Sequence, residues 1–342
     1  MNKLLTIVVP VYKVEPYINK CLDSCLIYKT NELGRKVLDE ELMNQLEVII
    51  VNDGTPDNSA EMSREYVKRY PQTFRQIDKE NGGHGSAWNV GLKEATGKYL
   101  RFLDSDDWLT NLSVLMEDLE KCDSDVIFNP FNVCYTGGNV DVIPTPIPMN
   151  NDNSQNYISK KIWQASERKY TYSNVNFWGV TYKTEILKPL YPLFAEKVMY
   201  DDYILTWAPL VYGRTFDVKE YVVYNYLVDR LGNSMSELEM KKRSHSVDVC
   251  FSHYEEVRAS IDERTIPLEL LECMDEMIAN YALFVFWYEA FFPYKIAKEK
   301  LKHLYLNYLK YGYDTRLLKR YRKLPFCLFY LVEQLRFKKN NS

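Results

Sequence analysis

Apolar runs alternate with amphipathic segments through the first 130 residues of the chain. Five continuous hydrophobic runs have the length and the flanking turn residues of buried strands, and apolar residues recur at helical spacing after each of the first four. The predicted strands span residues 4–11, 46–51, 73–77, 99–103 and 126–129, and the predicted helices span 16–28, 57–70, 85–95 and 112–119. This alternation predicts an α/β fold, with a mostly parallel sheet covered by helices on both faces.

The pattern changes after these elements. A stretch rich in Pro, Asn and Gly with alternating Val and Ile predicts a β-hairpin and loop over residues 130–158, and a helix follows near residues 159–167. Farther along the chain the apolar spacing becomes that of long amphipathic helices. We therefore predict two domains, an α/β domain over residues 1–235 and a helical domain over residues 236–342 that serves as a lid, an oligomerisation surface or a membrane-surface contact.

Polar residues follow three of the predicted strands at their carboxyl ends. The first strand ends in Pro10-Val11-Tyr12, the second in Asn52-Asp53-Gly54 and the fourth in Asp104-Ser105-Asp106. In open α/β sheets, ligands bind in the crevice beyond the carboxyl ends of the strands. The sequence therefore predicts that these three segments line one ligand-binding crevice.

Three carboxylates are crowded directly after the fourth strand, at Asp104, Asp106 and Asp107. A helix N-cap accounts for one of them, and Asp107 is the best placed to be that cap. The remaining carboxylates would raise each other's pKa unless a cation neutralises them. Carboxylate oxygens suit Mg²⁺ or Mn²⁺, and Mg²⁺ is commonly held by one or two carboxylates together with substrate phosphates. The sequence therefore predicts a divalent ion here, with a diphosphate on its far side.

A glycine-rich stretch, NGGHGSAWNVGL, precedes the fourth strand at residues 81–92. Glycines let the backbone approach a ligand closely at a helix N-terminus, which is a favourable position for phosphate. The chain lacks a GxxxxGK[ST] motif, and its glycine spacing differs from the GxGxxG that follows the first strand of dinucleotide-binding folds. P-loop NTPases and Rossmann dehydrogenases are therefore disfavoured.

The amino-acid composition narrows the possible classes of protein further. The chain of 342 residues is 46% hydrophobic and 26% charged, as expected of a globular protein. Its seven cysteines lack CxxC spacing and are expected to be reduced, buried thiols. The N-terminus lacks the features of a secretory signal, and no apolar stretch reaches the roughly 20 residues that span a bilayer. We therefore expect a cytoplasmic protein.

The net charge of −4 is unevenly distributed. Residues 294–342 carry thirteen Lys or Arg against three Asp or Glu, a net of +10 that leaves −14 for the rest of the chain. The basic, aromatic segment at residues 319–339 has two interpretations: a helix lying on anionic lipid at the inner face of the membrane, or a helix packed on the protein or on a second subunit. Nucleic-acid binding is disfavoured, because the body of the chain is acidic and carries no recognition motif.

Four segments, in order, resemble the family 2 glycosyltransferases of the GT-A fold. They are TIVVPVYKVEPYINKCLDS, VIIVNDGTPDNS, NGGHGSAWNVGLKEATGKYLRFLDSDDWL, and NFWGVTYKTEI with the later VMYDDYI. The resemblance covers about residues 4–235 and leaves the helical C-terminal part unassigned. It implies a nucleotide-diphospho-sugar transferase with a mostly parallel sheet sandwiched by helices.

The resemblance implies a role for each residue that matches a family motif. The residues implied at the nucleotide are Pro10, Val11, Tyr12, Asp53, Asn81, Gly83, His84, Asp104 and Ser105. Within that set, the Tyr12 ring would lie against the base, and Asp53 would bond the uracil or the ribose. Asp104 and Asp106 match the DxD motif, which would hold Mn²⁺ or Mg²⁺ on the diphosphate of the donor.

The pair Asp201-Asp202 matches the acidic pair of the family, and the resemblance implies that Asp202 is the catalytic base. An inverting transfer needs a carboxylate opposite the leaving diphosphate, to take the proton of the acceptor hydroxyl as it attacks the anomeric carbon. Spacing alone favours an exposed carboxylate pair at a helix start, and the family context reverses that preference. Asp201 and Trp178 are implied near the acceptor, although core packing explains Trp178 equally well.

The chain departs from the family pattern at Ala87-Trp88-Asn89, where the family often has Ala-Arg-Asn. A cation that commonly lies near the nucleotide is therefore missing, and His84 or Trp88 would have to take its place. A simple turn histidine explains His84 equally well.

Together these features predict an inverting, metal-dependent transfer of a hexose from a nucleotide sugar, UDP-linked, to a hydroxyl of a glycan growing on lipid, polysaccharide or glycoprotein. The alternative from another class is a non-catalytic sugar-nucleotide or glycan-binding partner of an active glycosyltransferase. A nucleotidyltransferase is disfavoured, because Tyr12-Lys13-Val14-Glu15 stands where that class has a Gly-rich, basic loop. Whether the chain forms a homo-oligomer stays open.

Overall fold

The structure, a computed structural model, describes residues 3–145, 156–159, 177–229, 244–289, 293–299, 327 and 330–331. The chain divides into two compact units, one formed by residues 1–197 and 201–231 and the other by residues 198–200 and 232–342. Three predictions fall outside the described residues: the helix near 159–167, the domain boundary after residue 235, and all but three residues of the basic segment at 319–339.

The elements are numbered in chain order. The strands are β1 (Leu5–Val11), β2 (Tyr28–Thr30), β3 (Lys36–Leu38), β4 (Leu46–Asn52), β5 (Phe74–Asp78), β6 (Tyr99–Phe102), β7 (Trp108–Leu109), β8 (Val126–Phe128), β9 (Phe131–Tyr135), β10 (Val140–Ile143), β11 (Asn156–Tyr157), β12 (Val180–Lys183), β13 (Thr215–Val218) and β14 (Tyr224–Val228). The α-helices are α1 (Ile18–Asp23), α2 (Glu40–Gln45), α3 (Ser59–Arg69), α4 (His84–Glu94), α5 (Leu112–Lys121), α6 (Thr184–Leu187), α7 (Ser244–Ser260) and α8 (Leu268–Glu289).

The larger sheet places the predicted strands side by side. Its order is β11-β13-β8-β12-β6-β1-β4-β5, and β1 pairs in parallel with both β4 and β6. Every residue of β1 and β4 is buried, as expected of strands covered on both faces. Two strands run the other way, β12 between β6 and β8 and β11 beside β13. The predicted α/β fold with a mostly parallel sheet is confirmed.

A smaller sheet lies beside the acidic cluster. Its order is β10-β9-β14-β7, and the antiparallel pair β9 and β10 confirms the first part of the predicted hairpin. Strand β14 pairs in parallel with β9 and antiparallel with β7. Because β7 directly follows the three clustered carboxylates in sequence, β14 is brought next to them.

A second hairpin, which the sequence patterns did not predict, follows α1. The first helix ends at Asp23, earlier than predicted, and β2, β3 and α2 come before β4. The Asn31 side chain accepts hydrogen bonds from the N–H groups of Leu33 and Arg35, both at 3.0 Å, and Gly34 closes the turn with a φ of +71°. Because both strands of this hairpin lie at the surface, they lack the apolar alternation that marks a half-buried strand.

Five of the seven cysteines are buried, among them Cys21 and Cys25 on and after α1. Burial raises the pKa of the Cys25 thiol to about 12, although a bond to Ser24 opposes the shift. The thiol therefore stays protonated at neutral pH, which makes it a poor nucleophile and a poor metal ligand.

The described part of the second unit contains the long helices α7 and α8. They are joined by a partly buried ion pair, in which Nε of Arg258 donates to Asp275 at 2.6 Å. Nη2 of Arg258 also donates to the more exposed Glu263, between the two helices, at 2.9 Å. The rings of Tyr254 and Tyr281 pack edge to face, with centroids 4.8 Å apart. None of the helices within the described ranges combines the length and the apolar character that crossing a membrane requires.

Candidate active site

The three segments predicted to form a crevice follow adjacent strands. Strand β1 lies between β4 and β6, and the N–H of Asp53, just after β4, donates to the Val11 carbonyl at 3.0 Å. Tyr12, just after β1, is 42% exposed, whereas Pro10 and Val11 are buried within the strand. Of the three residues predicted to receive the base, Tyr12 therefore offers an accessible ring.

The Asp53 carboxylate organises the glycine-rich loop. It accepts hydrogen bonds from Nζ of Lys79 at 2.7 Å, from Nδ2 of Asn81 at 3.1 Å, and from the backbone N–H groups of Gly82 and Gly83 at 2.8 Å each. Two donors meet each oxygen, so the acceptor capacity of the carboxylate is used within the protein. Contacts of Asp53, Asn81 and Gly83 with a nucleotide stay predictions, and the structure shows that these three residues fix the loop.

The acidic cluster is an assembly of carboxylates with different partners. Oxygens of Asp104, Asp106 and Asp107 lie within 4.8 Å of one another. Asp107 is 1% exposed and accepts hydrogen bonds from the Tyr224 hydroxyl at 2.7 Å and the Leu227 N–H at 2.8 Å. Burial, with the charges of Asp106 and Asp104, raises its pKa well above the usual range. The prediction that Asp107 caps a helix is wrong, because β7 follows it and its oxygens bond to β14.

A divalent ion fits the chemistry of this cluster. The side chains of Asp104 and Asp106 are partly exposed, whereas Asp107 and Ser105 are buried. Closely spaced carboxylate oxygens are the ligands that Mg²⁺ and Mn²⁺ favour. Asp104 and Asp106 are therefore the residues that can hold the ion, while both oxygens of Asp107 already bond to β14.

His84, the first residue of α4, bridges two acidic segments. Its Nε2 lies 2.9 Å from Oδ1 of Asp104, and its Nδ1 lies 3.3 Å from Oδ1 of Asp201. Burial disfavours the charged imidazolium, but the two carboxylates outweigh this effect and raise the pKa of His84 well above its usual value. A doubly protonated ring donates to both carboxylates at once. The alternative of a simple turn histidine is therefore excluded by its contacts.

Trp88 lies in the core, so it does not take the place of the arginine that the family often has at this position near the nucleotide. It is fully buried, and its ring centroid is 4.6 to 5.0 Å from those of Phe102, Phe177 and Phe194. The His84 ring packs on it with centroids 4.1 Å apart. Because the two residues are one helical turn apart on α4, their side chains lie on the same face of the helix, and the Trp88 ring packs against the His84 ring.

The acidic pair begins a short 3₁₀ helix, Asp201–Thr206. Asp201 is 1% exposed, whereas Asp202 is partly exposed. Burial and the charge of Asp201 raise the pKa of Asp202 to about 7, against the opposing charge of His84. A carboxylate with a pKa near neutrality suits a general base. The catalytic role of Asp202 stays a prediction that this environment supports.

Trp178 is largely buried, which favours packing over direct sugar contact. It is 8% exposed, and its ring is stacked on that of Tyr226 with centroids 3.9 Å apart and planes 19° apart. Its backbone carbonyl accepts a hydrogen bond from the fully buried Arg101, which also donates to Oγ1 of Thr181 at 2.7 Å. Contact of Trp178 with an acceptor remains a prediction.

Two residues that shape the site were not singled out from the sequence. The Tyr224 hydroxyl holds the acidic turn twice, since it also accepts a hydrogen bond from the Asp104 N–H at 3.1 Å. Asn89 of α4 accepts from the N–H groups of Leu193 and Phe194 at 2.9 Å each, and donates to the Phe194 carbonyl at 2.8 Å. An asparagine on the buried face of a helix needs such partners, so Asn89 carried a signal that the sequence patterns did not use.

Residues 6–180, just over half of the chain, match the family model described as glycosyl transferase family 2. The chain is 30% identical over 202 residues to the uncharacterized glycosyltransferase EpsJ of Bacillus subtilis, which covers 58% of this chain and 54% of EpsJ. It is 38% identical over 115 residues to a teichoic acid poly(glycerol phosphate) polymerase of Staphylococcus epidermidis, which covers 33% of this chain and 14% of that protein. The chain thus spans about half the length of EpsJ and less of the polymerase.

Two solved structures share the fold. TarS from S. aureus, solved with UDP-GlcNAc, has a TM-score of 0.53 and 19% identity, with 81% of this chain and 71% of that chain covered. The mannosyltransferase PcManGT from Pyrobaculum calidifontis, solved with GDP-Man and Mn²⁺, has a TM-score of 0.51 and 17% identity, with 97% and 86% covered. At these identities the likeness concerns the fold, and it confirms the predicted GT-A fold.

Proposed function

The chain belongs to glycosyl transferase family 2, and on that premise we propose that it transfers a hexose from a nucleotide sugar to a hydroxyl of a growing glycan. The observation that carries the proposal is the meeting of the acidic turn after β6 with the acidic pair Asp201-Asp202, through His84. A sugar transferase needs residues that bind the nucleotide sugar and a base that activates the acceptor hydroxyl. The contact through His84 brings together the two acidic segments that we assign to these roles. The activity rests on these residues rather than on the fold, which hosts many functions.

The residues that we propose to bind the nucleotide sugar, here called the donor side, lie at the ends of the strands. Tyr12 offers an accessible ring for stacking on a base, and the loop that Asp53 fixes leads directly into α4. Asp104 and Asp106 would hold Mn²⁺ or Mg²⁺ with the diphosphate of the donor. Such an ion, when bound, stabilises the negative charge that develops on the departing nucleotide. UDP-linked donors are the first choice, and the GDP-Man complex of PcManGT makes GDP-linked donors the next to test.

Asp202 acts as the base in this proposal. Its carboxylate takes the proton of the acceptor hydroxyl as the oxygen attacks the anomeric carbon, so that the new bond forms with inversion. The pKa of about 7 lets it be unprotonated in a large fraction of molecules at neutral pH and still accept a proton readily. Asp201, buried against His84, holds the pair in place.

The acceptor is proposed to be a glycan built on lipid, polysaccharide or glycoprotein. The relative named as a teichoic acid poly(glycerol phosphate) polymerase supports a polymer of this kind as the acceptor. We place the reaction in the cytoplasm, with the basic segment at residues 319–339 able to bring the chain to anionic lipid.

The decisive experiment is a calorimetric titration of UDP, and in parallel GDP, into the purified chain with Mn²⁺ and then with EDTA. Binding that EDTA abolishes supports the donor and metal assignment, and Asp106→Ala should abolish it as well. Glu117→Ala, an exposed carboxylate of α5, is the matched control for the change in charge and should bind as the wild type does.

A panel of nucleotide sugars then tests the reaction. Release of the nucleotide with Mn²⁺, and its loss in Asp202→Asn with binding intact, supports transfer with Asp202 as the base. Nucleotide binding without turnover on any donor, with or without glycan acceptors, would instead indicate a non-catalytic sugar-nucleotide-binding partner of an active enzyme.

A further inference from the structure

The start of α4 holds the segment that leads to the acidic pair. The carbonyl of Gly82 accepts a hydrogen bond from the Lys197 N–H at 2.7 Å. A Cβ on Gly85 would overlap both the Ala195 carbonyl and the Asp201 carboxylate, so the backbone of α4 lies directly against this segment. These contacts hold Ala195, Lys197 and the Asp201 carboxylate next to the start of α4.

Asn89, one turn and a half farther along α4, extends this attachment. Its side chain makes three hydrogen bonds to the backbone of Leu193 and Phe194, at 2.8 to 2.9 Å. It is 2% exposed, so these bonds are shielded from water. Residues 193–197 and the Asp201 side chain are therefore docked on α4 at several points.

His84 continues the same attachment to the metal-binding turn. Its Nδ1 faces Asp201, its Nε2 faces Asp104, and its ring rests on the fully buried Trp88. Asp104 is itself fixed through its N–H by the Tyr224 hydroxyl. A ring that is supported from below and bonded at both nitrogens has little freedom to turn.

We propose that His84 is a positioning residue, which couples the metal-binding turn at Asp104 to the acidic pair and so sets where Asp202 lies relative to the donor. This inference rests on the proposed function and deepens it, because it assigns His84 to the alignment of the two sides rather than to the nucleotide. Without the ring, the bridge from Asp104 to Asp201 is lost, and we expect the acidic pair to be held less precisely relative to the nucleotide-binding side of the site.

Steady-state kinetics separates this role from nucleotide binding. In His84→Gln, which can donate to one carboxylate at a time, we expect kcat to fall by about 10- to 100-fold, because misplacing a reacting group by about 1 Å has effects of this size. The Kd of UDP with Mn²⁺ should stay within about threefold of the wild type. His84→Arg, whose guanidinium can donate to two carboxylates, should recover part of kcat. His245→Gln, an exposed histidine of α7, is the control.

Hydrogen exchange gives a readout that needs no turnover. Peptides that cover residues 201–206 are compared before and after addition of Mn²⁺ alone and of Mn²⁺ with UDP. In the wild type we expect slower exchange in these peptides on addition, and in His84→Gln we expect that response to be lost while peptides of β6 still respond.

The two experiments fail in different ways. If no donor is turned over by the wild type, the proposed function is wrong, and the exchange response still decides the role of His84. An unchanged exchange response in His84→Gln, or a UDP Kd that rises in step with the loss of kcat, would overturn the positioning role in favour of nucleotide binding or a local structural role.

Discussion

The pKa of Asp202 makes a quantitative prediction about the pH dependence of turnover. Burial and the charge of Asp201 raise that pKa to about 7, so about half of the molecules carry the unprotonated base at pH 7. Below this pH the unprotonated fraction falls about tenfold for each pH unit, and kcat at saturating donor should fall with it. The acid limb of the profile should therefore have its midpoint near 7, about three units above an ordinary aspartate.

Two neighbouring side chains should shift that midpoint in opposite directions. Asp201 raises the pKa of Asp202 and His84 lowers it. Asp201→Asn should therefore move the acid limb toward lower pH, and His84→Gln should move it toward higher pH. In both variants the remaining activity near pH 9 must be high enough to define the plateau of the curve.

The assay is nucleotide release from the donor between pH 5 and pH 9, with a mixed buffer at constant ionic strength and saturating Mn²⁺. Asp202→Asn serves as the reference, since it should lose about 10²- to 10⁴-fold in kcat and show no acid limb near 7. If the acid limb of the wild type lies below pH 5, or if Asp201→Asn and His84→Gln move it in the same direction, Asp202 is not the group that titrates.

Four further predictions follow from the same contacts. Tyr224→Phe removes both bonds to the acidic turn and should lower the free energy of unfolding by about 2–3 kcal/mol in urea titrations, with weaker Mn²⁺-dependent UDP binding. Asn89→Ala leaves two buried N–H groups without their acceptor and should cost about 2–4 kcal/mol in the same measurement, whereas a value below about 1 kcal/mol would contradict the docking contact. Gly85→Ala should cost about 1–3 kcal/mol, because its Cβ meets backbone, and should reduce kcat as well. Because the pKa of Asp202 is raised on folding, the folded state binds more protons between about pH 4 and 7, so stability should fall as pH rises through that window, and the thermal unfolding of Asp202→Asn should show a weaker fall.

The sheet was predictable because each strand carries its own signal. Strands β1 and β4 consist of unbroken apolar runs, and the structure buries every residue of both. The hairpin of β2 and β3 carries no such signal, because a surface hairpin is specified by its turn residues, here Asn31 and Gly34, rather than by its strands. The position of β12 depends on contacts across about 50 residues of sequence to β8 and about 80 to β6, which local patterns do not encode.

The types of residue in the site could be predicted from the sequence, but the contacts between them could not. The crowding of Asp104, Asp106 and Asp107 predicted a neutralising cation, and the cluster could hold one, but nothing local in the sequence indicated the protein partners of these carboxylates. Asp107 finds its partners on β14, more than 100 residues later, and Asp104 finds one at His84, 20 residues earlier. Long-range pairing of this kind is decided by topology, after the local elements are set.

The crowding is thus relieved by different means at Asp107 and at Asp104, and this determines which carboxylates can bind a ligand. Asp107 is buried and bonded to a hydroxyl and an N–H, so removing it from these partners to bind an ion would leave Tyr224 and Leu227 with unmet donors. Asp104 is partly exposed, and its Oδ1 lies within hydrogen-bond distance of Nε2 of His84. The His84 ring also faces a second carboxylate, that of Asp201, through its Nδ1. Asp106 and the partly exposed Asp104 would therefore hold an ion at this turn, and in the proposed function a change in the charge of Asp104 would act through His84 on the acidic pair. If Asp202 is the base, as proposed, the contact that runs from Asp104 through His84 to Asp201 predicts that the pKa of Asp202 depends on whether the nucleotide-binding side is filled.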